Sequence, residues 1–131
     1  MENEFKSSIL EAVNGSNERR LHFGQVVGLL MEAGVESYVA DYRAQRTTHY
    51  LPDGQVVEVG MQGGRVDIAQ AFDAAGVKAA IRGAQEGRVM YPDFKRLTQG
   101  AGCTGYTVWI AGRHVTYYGR NGETHVEKFP D

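Results

Sequence analysis

Apolar residues follow two different spacings along the chain. Four segments carry apolar residues three or four positions apart, which predicts amphipathic helices: Phe5–Val13, Val26–Ala33, Val77–Ala84 and Phe94–Ala101. Around Tyr38–Tyr42 and Tyr106–Ile110 every second residue is apolar or aromatic, which predicts half-buried strands. Asp-Gly at 53–54 and Asn-Gly at 121–122 are typical of tight hairpin turns. The residues after each turn therefore predict a closing strand.

This order of elements occurs twice. When the chain is shifted by 68 residues, Ile9–Val59 aligns with Val77–Glu127 without gaps, and 11 of the 51 aligned positions are identical. Random pairs would match at roughly 6% of positions, or about three. The identities include Gly34 and Gly102, each at a predicted helix end. We therefore predict an internally duplicated α+β fold. Each half is two helices followed by a three-stranded antiparallel meander, and the helices pack on the antiparallel sheet.

The repeats also define the organisation of the chain. From the N-terminus we expect repeat one at about residues 5–59, a glycine-rich joint at 60–64, an extra helix at about 66–75 and repeat two at about 77–129. The extra helix is predicted because Val66, Ala69 and Phe72 share a helical face, and Gly76 would end it. A half of ~60 residues buries little surface by itself, so residues 1–131 are expected to form a single domain. The two meanders either join into one sheet or pair around a central groove.

Composition and charge exclude several classes of protein. The 131-residue chain has a net charge of −2, which argues against a basic surface for nucleic acid. The predicted second helix, Gly24–Ala33, has no positive residue with which to reach phosphate or bases. No stretch approaches the ~18 apolar residues of a membrane helix, and the N-terminus lacks a signal-peptide pattern. We therefore expect neither a nucleic-acid nor a membrane partner, and a cytoplasmic location.

The cysteine and the glycines offer little chemistry. Cys103 is the single cysteine, so the chain has no internal disulfide. It follows a predicted helix end, where the helix dipole disfavours a thiolate, and we predict a small buried hydrophobic residue. The glycine-rich joint has neither the P-loop ending nor the dinucleotide-binding spacing. We expect no cofactor.

One set of side chains could do metal or acid–base chemistry. Glu123, His125 and Glu127 alternate on the last predicted strand, so they share one face. Two carboxylates and an imidazole can bind a divalent metal or transfer protons. The alternative is a solvated strand face. The equivalent positions of the first repeat, 55, 57 and 59, carry no such ligands.

Aromatic and charged residues of the strands and turns form a second candidate site. An exposed tryptophan with arginine and tyrosine nearby suits a ligand surface or a subunit interface, whereas cross-strand packing would explain most of the tyrosines. The candidate binding or interface residues are Asp41, Arg43, Trp109, Tyr117, Tyr118 and Arg120.

Several segments resemble an uncharacterised protein family. The runs Ala101–Val108 and Tyr117–Pro130 carry the resemblance, which extends to Tyr38–Tyr50 and Gly87–Phe94. The family is bacterial and prophage-associated, its members are about this length, and some are labelled "phage envelope protein". The resemblance implies family membership and no established activity.

These observations lead to one main functional hypothesis and two alternatives. We expect a soluble, non-catalytic interaction or ligand-binding module that forms a homo-oligomer, because aromatic strands occur without a catalytic constellation. The first alternative is a small metal-dependent or acid–base enzyme that uses Glu123, His125 and Glu127. The second, a phage-encoded structural or host-modulating protein, rests on the family label alone.

Overall fold

A computed structural model of the protein describes residues 2–63 and 66–130. Gly64, at the end of the predicted joint, lies outside the described residues. Within them the chain forms four helices and six strands. The first unit contains α1 (Glu2–Asn17), α2 (Phe23–Glu32), β1 (Ser37–Asp41), β2 (Arg46–Tyr50) and β3 (Val56–Gly60). The second contains α3 (Ala74–Gln85), α4 (Tyr91–Gly100), β4 (Cys103–Trp109), β5 (His114–Gly119) and β6 (Thr124–Lys128).

The six strands form one antiparallel sheet in the order β3-β2-β1-β4-β5-β6. The two meanders join through β1 and β4, where Val39 lies opposite Thr107. These residues are equivalent under the 68-residue shift, so a pseudo-twofold axis passes through this pair. The predicted α+β class is confirmed, and helix–helix–three-strand units occur twice. Of the two arrangements of the meanders, the joined sheet is correct.

The helices cover one face of this sheet. Side chains of directly paired residues lie on the same face, and one face carries the buried residues Tyr38, Ala40, Tyr106 and Val108. These residues share a core cluster with apolar side chains from all four helices. The opposite face carries exposed residues such as Trp109. Within residues 2–63 and 66–130, every helix is too short or too polar to cross a lipid bilayer.

The extra helix predicted at about 66–75 is wrong. Residues 66–73 form no helix, and α3 begins at Ala74. The Asp73 side chain accepts a hydrogen bond from the Gly76 backbone N–H at 3.1 Å, so Gly76 lies in the first turn and does not end a helix. The backbone N–H groups of Ala69 and Asp73 donate to carbonyls at the end of α4, Gln99 and Ala101. These contacts hold the segment against α4 in an irregular conformation.

Candidate functional site

A cavity of about 470 Å³ lies between the sheet and the helices. Its volume is in the range of small-molecule sites. All four helices and strands β1, β2, β4, β5 and β6 contribute to its wall, which is mainly apolar and aromatic. Many lining residues form equivalent pairs of the two units, among them Leu21/Val89, Phe23/Tyr91, Val26/Phe94, Tyr38/Tyr106 and His49/Tyr117. The cavity therefore lies on the pseudo-twofold axis.

The strand register builds the floor of the cavity. One row of paired residues on the helix-covered face runs across the sheet through His49, Tyr38, Val108, Val115 and Glu127. His49 stacks on Tyr38 with ring centroids 5.2 Å apart. This row therefore has aromatic residues on β2 and β1 and a carboxylate on β6.

Three polar groups in the cavity wall are buried without using their full hydrogen-bonding capacity. Tyr38, Tyr117 and His49 are 5%, 6% and 1% exposed. Among the described residues, no hydrogen bond involves either tyrosine hydroxyl, although every fully buried side-chain N or O atom there has a partner. Both hydroxyls therefore retain contact with the open space of the cavity. By contrast, the Tyr106 hydroxyl donates to the Tyr91 hydroxyl at 3.1 Å.

Histidine 49 presents an acceptor to the same space. Its Nδ1 lies 3.2 Å from the Val57 carbonyl oxygen. A carbonyl only accepts, so we assign the proton of the neutral ring to Nδ1, which leaves Nε2 as an acceptor. Burial lowers the pKa of His49, which favours this neutral form.

The tyrosines remain protonated at neutral pH. Burial raises the pKa of Tyr38 and of Tyr117 above the ordinary value for a phenol, and it raises the pKa of Tyr91 to about 12. The cavity thus offers phenolic donors and an imidazole acceptor in an apolar wall.

The cavity opens beside β6. The exposed lining residues cluster at the start of α2, the end of α3 and the end of the chain: His22, Phe23, Gly24, Gln85, Lys128 and Pro130. Phe23 meets Phe129 edge-on, with ring centroids 5.7 Å apart. These residues form the mouth.

Glu127 is held in place beside the mouth by two donors. Its Oε1 accepts from Arg82 Nη1 at 2.6 Å, and its Oε2 lies 3.0 Å from His125 Nε2. Burial raises the pKa of the Glu127 carboxyl, but the bonds from Arg82 and His125 outweigh it, so the pKa is lowered overall. The Glu127 side chain is 16% exposed and the Arg82 side chain 44%. The charged carboxylate therefore lies nearer the cavity than its partner arginine.

The structure brings together two of the three candidate metal or acid–base residues. His125 and Glu127 are hydrogen-bonded, whereas the Glu123 carboxylate accepts from the Asn121 backbone N–H at 2.8 Å in the β5–β6 turn. The described residues contain no group of three or more His, Cys, Asp or Glu side chains placed to hold a metal ion. Glu127 forms an ion pair with Arg82 instead.

Comparison with known protein families finds one that matches nearly the whole chain. The family described as "Protein of unknown function (DUF1398)" matches residues 6–128. The chain belongs to this family. The expected membership in an uncharacterised family of about 130 residues is thus confirmed. No curated protein matches the chain.

In this DUF1398 protein, the six candidate binding residues do not share one surface. Adjacent strand residues point to opposite faces, so Tyr117 lines the cavity while Tyr118 lies on the open face. Trp109 also lies on the open face, where its Nε1 donates to Thr116 Oγ1 at 3.2 Å. Tyr118 donates to Thr107 Oγ1 at 3.1 Å. Tyr117 is the one member of the six that lines the cavity.

Two of the three charged members, Asp41 and Arg120, stabilise a turn and a loop of the DUF1398 fold. Asp41 accepts from the backbone N–H groups of Arg43 and Ala44, each at 3.0 Å, and so closes the β1–β2 turn. Arg43 itself is exposed. Arg120 Nη2 donates to the Ile68 carbonyl at 2.8 Å, which holds the loop before α3.

Cys103 of the DUF1398 chain is fully buried at the start of β4, as predicted. Burial raises the pKa of its thiol, which disfavours the nucleophilic thiolate. His49 is a polar lining residue that the sequence analysis did not single out. Its signal was its position equivalent to Tyr117, since two polar aromatic residues at equivalent strand positions indicate a shared wall.

Proposed function

We propose that this protein is a non-catalytic module that binds a small, mainly apolar ligand in its central cavity. The observation that carries the proposal is the set of unused polar groups on Tyr38, Tyr117 and His49. Each of these groups keeps contact with the open space of the cavity, so it is accessible to a partner that enters there. A ligand with one or two polar groups would satisfy these atoms and fill the apolar space.

The size and wall of the cavity support this function. Protein interiors are close-packed, and voids larger than a water molecule are few. A space of about 470 Å³ at the centre of a small core is therefore hard to explain as a packing defect. The aromatic rings of Tyr38, Phe94 and Tyr106 offer edges and faces to a planar ligand.

The test uses 1-naphthalenemethanol, a planar apolar molecule with one hydroxyl group. We expect a saturable titration in which the NMR signals of cavity-lining residues shift. Ala84 lines the cavity from α3, and Ala84→Phe should weaken binding at least tenfold by filling the space. The matched control is Ala79→Phe on the exposed side of the same helix, which should bind like the wild type.

Trp109 provides an internal control because its indole lies on the opposite face of the sheet. Its N–H signal should stay constant while the cavity signals shift. Circular dichroism establishes that Ala84→Phe and Ala79→Phe are both folded. Absence of saturable shifts in the cavity, or equal affinities of the two variants, would contradict the proposed function.

A second candidate function, self-association, is favoured by the open face of the sheet. Val56, Trp109 and Val126 are large hydrophobic residues exposed on this face. Glu58 on β3 and Lys128 on β6 lie at opposite edges of the same face. A second copy, related by a twofold axis parallel to the strands, would place the β3 edge with Glu58 over the β6 edge with Lys128. We propose this face as the surface that pairs two copies.

Sedimentation velocity tests the pairing. We expect the wild type to sediment as a dimer, and Trp109→Ala to weaken dimerisation about tenfold by removing exposed aromatic area. Phe23→Ala changes an exposed aromatic on the helix side and is the control. A wild type that stays monomeric at hundreds of micromolar would refute the pairing and leave the ligand-binding proposal standing.

A further inference from the structure

The charged residues of the cavity wall lie on β6, and their placement indicates the chemistry of the ligand. Among the described residues, the charged ones that line it are Glu127 and Lys128. Lys128 is paired with His114, so its side chain lies on the open face of the sheet. Glu127 lies on the other face, toward the helices. The Glu127 carboxylate is thus the charged group on the helix-covered side of the wall, whereas Lys128 lines the mouth from the edge of the open face.

The fold does not require this charge. The positions equivalent to Arg82, His125 and Glu127 in the first unit are 14, 57 and 59, which carry asparagine and two valines. Val57 and Val59 lie on β3 at the corresponding places of the sheet and pack against the core. Uncharged residues therefore serve the same architecture, and the ion pair beside the mouth needs another explanation.

The carboxylate is oriented for a further contact. One donor approaches each oxygen of Glu127, from Arg82 and from His125, and each oxygen retains capacity for another hydrogen bond. Tyr117 lies close enough for the Glu127 charge to raise its pKa further, after burial and Cys103. A carboxylate next to aromatic faces attracts cations, which also interact favourably with the rings.

We propose that the ligand is an organic cation, namely an ammonium group on an aromatic or apolar body, with its charge beside Glu127 and its body among the aromatic rings. This inference rests on the proposed ligand-binding function and deepens it. The apolar body would extend from the mouth toward Tyr38 and His49. Arg82, on the water side of the carboxylate, fixes the orientation of Glu127 and is a positioning residue.

The test compares three molecules of nearly equal shape: 1-naphthylmethylammonium, 1-naphthalenemethanol and 1-naphthoate. They carry a positive charge, no charge and a negative charge. NMR titration of the full chain at pH 7 gives their dissociation constants. We expect the ammonium to bind about tenfold more tightly than the alcohol, and the carboxylate to bind most weakly.

Glu127→Gln keeps the shape of the side chain and removes its charge. In this variant the ammonium should lose about tenfold in affinity, while the alcohol should bind within about twofold of the wild type. Glu123→Gln is the matched control, because Glu123 lies in the β5–β6 turn and does not line the cavity. It should leave the preference for the ammonium unchanged.

The possible outcomes separate the two proposals. Equal binding of ammonium and alcohol to the wild type would overturn the cation inference and retain the ligand site. A preference for naphthoate would overturn it as well. If none of the three molecules shifts the cavity signals, the ligand-binding function itself fails, and the inference fails with it. The wild-type comparison decides between these outcomes even if Glu127→Gln is unstable.

Discussion

The two units place different side chains at equivalent positions around one cavity. The first unit has Val59 on β3, whereas the equivalent Glu127 on β6 carries a charge and lines the cavity. On the floor, His49 on β2 of the first unit corresponds to Tyr117 on β5 of the second. The backbone register is nevertheless the same on both sides of the pseudo-twofold axis.

This difference separates what the fold needs from what the site needs. Tyr38 and Tyr106, at which the two units agree, pack in the core at the centre of the sheet and also line the cavity. In the second unit, Tyr117 and Glu127, which differ from their equivalents His49 and Val59, line the cavity. The same substitution can therefore be made at equivalent positions of the two units. The difference in its effect separates the contribution to the fold from the contribution to the site.

The largest expected effect concerns two glycines that end equivalent helices. Gly34 and Gly102 both have positive φ, 87° and 86°. A Cβ at Gly34 would meet nothing within 4 Å, whereas one at Gly102 would collide with the Ala71 carbonyl. Gly34→Ala should cost ~1–2 kcal/mol of unfolding free energy from the backbone conformation alone. Gly102→Ala should cost at least about 3 kcal/mol, because overpacking adds to this cost.

Urea denaturation measures both values. If the two alanine variants lose equal stability, the loop at Ala71 does not constrain Gly102, and the asymmetry between the helix ends is refuted. A folded Gly34→Ala beside a Gly102→Ala that does not fold would support the same asymmetry, because the two variants share the backbone cost and differ in the contact with Ala71.

An intermediate effect on stability is expected for Tyr38 and Tyr106, the equivalent tyrosines of the two units. Tyr106 donates a hydrogen bond to Tyr91, so Tyr106→Phe should cost about 1 kcal/mol. The Tyr38 hydroxyl has no partner among the described residues, and Tyr38→Phe should change stability by less than about 0.5 kcal/mol without ligand. Thermal and urea unfolding of both variants test this contrast. Equal losses would indicate that Tyr38 has a partner within the protein.

The smallest expected effect is a pH dependence. His49 has a pKa below the ordinary 6.5 because of burial. As the pH falls below 6.5, the unfolded chain binds a proton that the folded chain does not, so stability decreases. Above that pH the ring is neutral in both states and contributes no slope. His49→Gln should therefore lose less stability than the wild type between pH 6.5 and 5.

The difference between the two curves stays below about 1.4 kcal/mol per pH unit, because one group exchanges at most one proton. Parallel curves over this range would mean that His49 titrates normally when folded. Tyr117→Phe, at the equivalent position, provides a variant that should keep the wild-type slope.

The sequence predicted the repeated elements well because periodicity reports which side of an element is buried. The four helices, the meanders and the buried state of Cys103 all follow from that signal. The extra helix failed for a physical reason. Val66, Ala69 and Phe72 have helical spacing, but backbone groups of this segment bond to the end of α4.

The cavity was beyond prediction because a void depends on how side chains from several elements meet. Tyr117 and Tyr118 illustrate the limit. The sequence identified both as candidate residues, but only the strand register decides which one faces the helices. The alternation of Glu123, His125 and Glu127 was likewise visible, whereas the approach of Arg82 from α3 was not.

The β1–β4 pairing within one chain also determines how independently the sequences of the two units can change. In a symmetric dimer of identical units, every substitution appears twice, and a charged residue at one end is accompanied by the same charge at the other. Here both central strands belong to one chain, so each half can change independently. Covalent linkage also makes the pairing independent of protein concentration. A pseudosymmetric scaffold can thereby recognise a molecule whose own two ends differ.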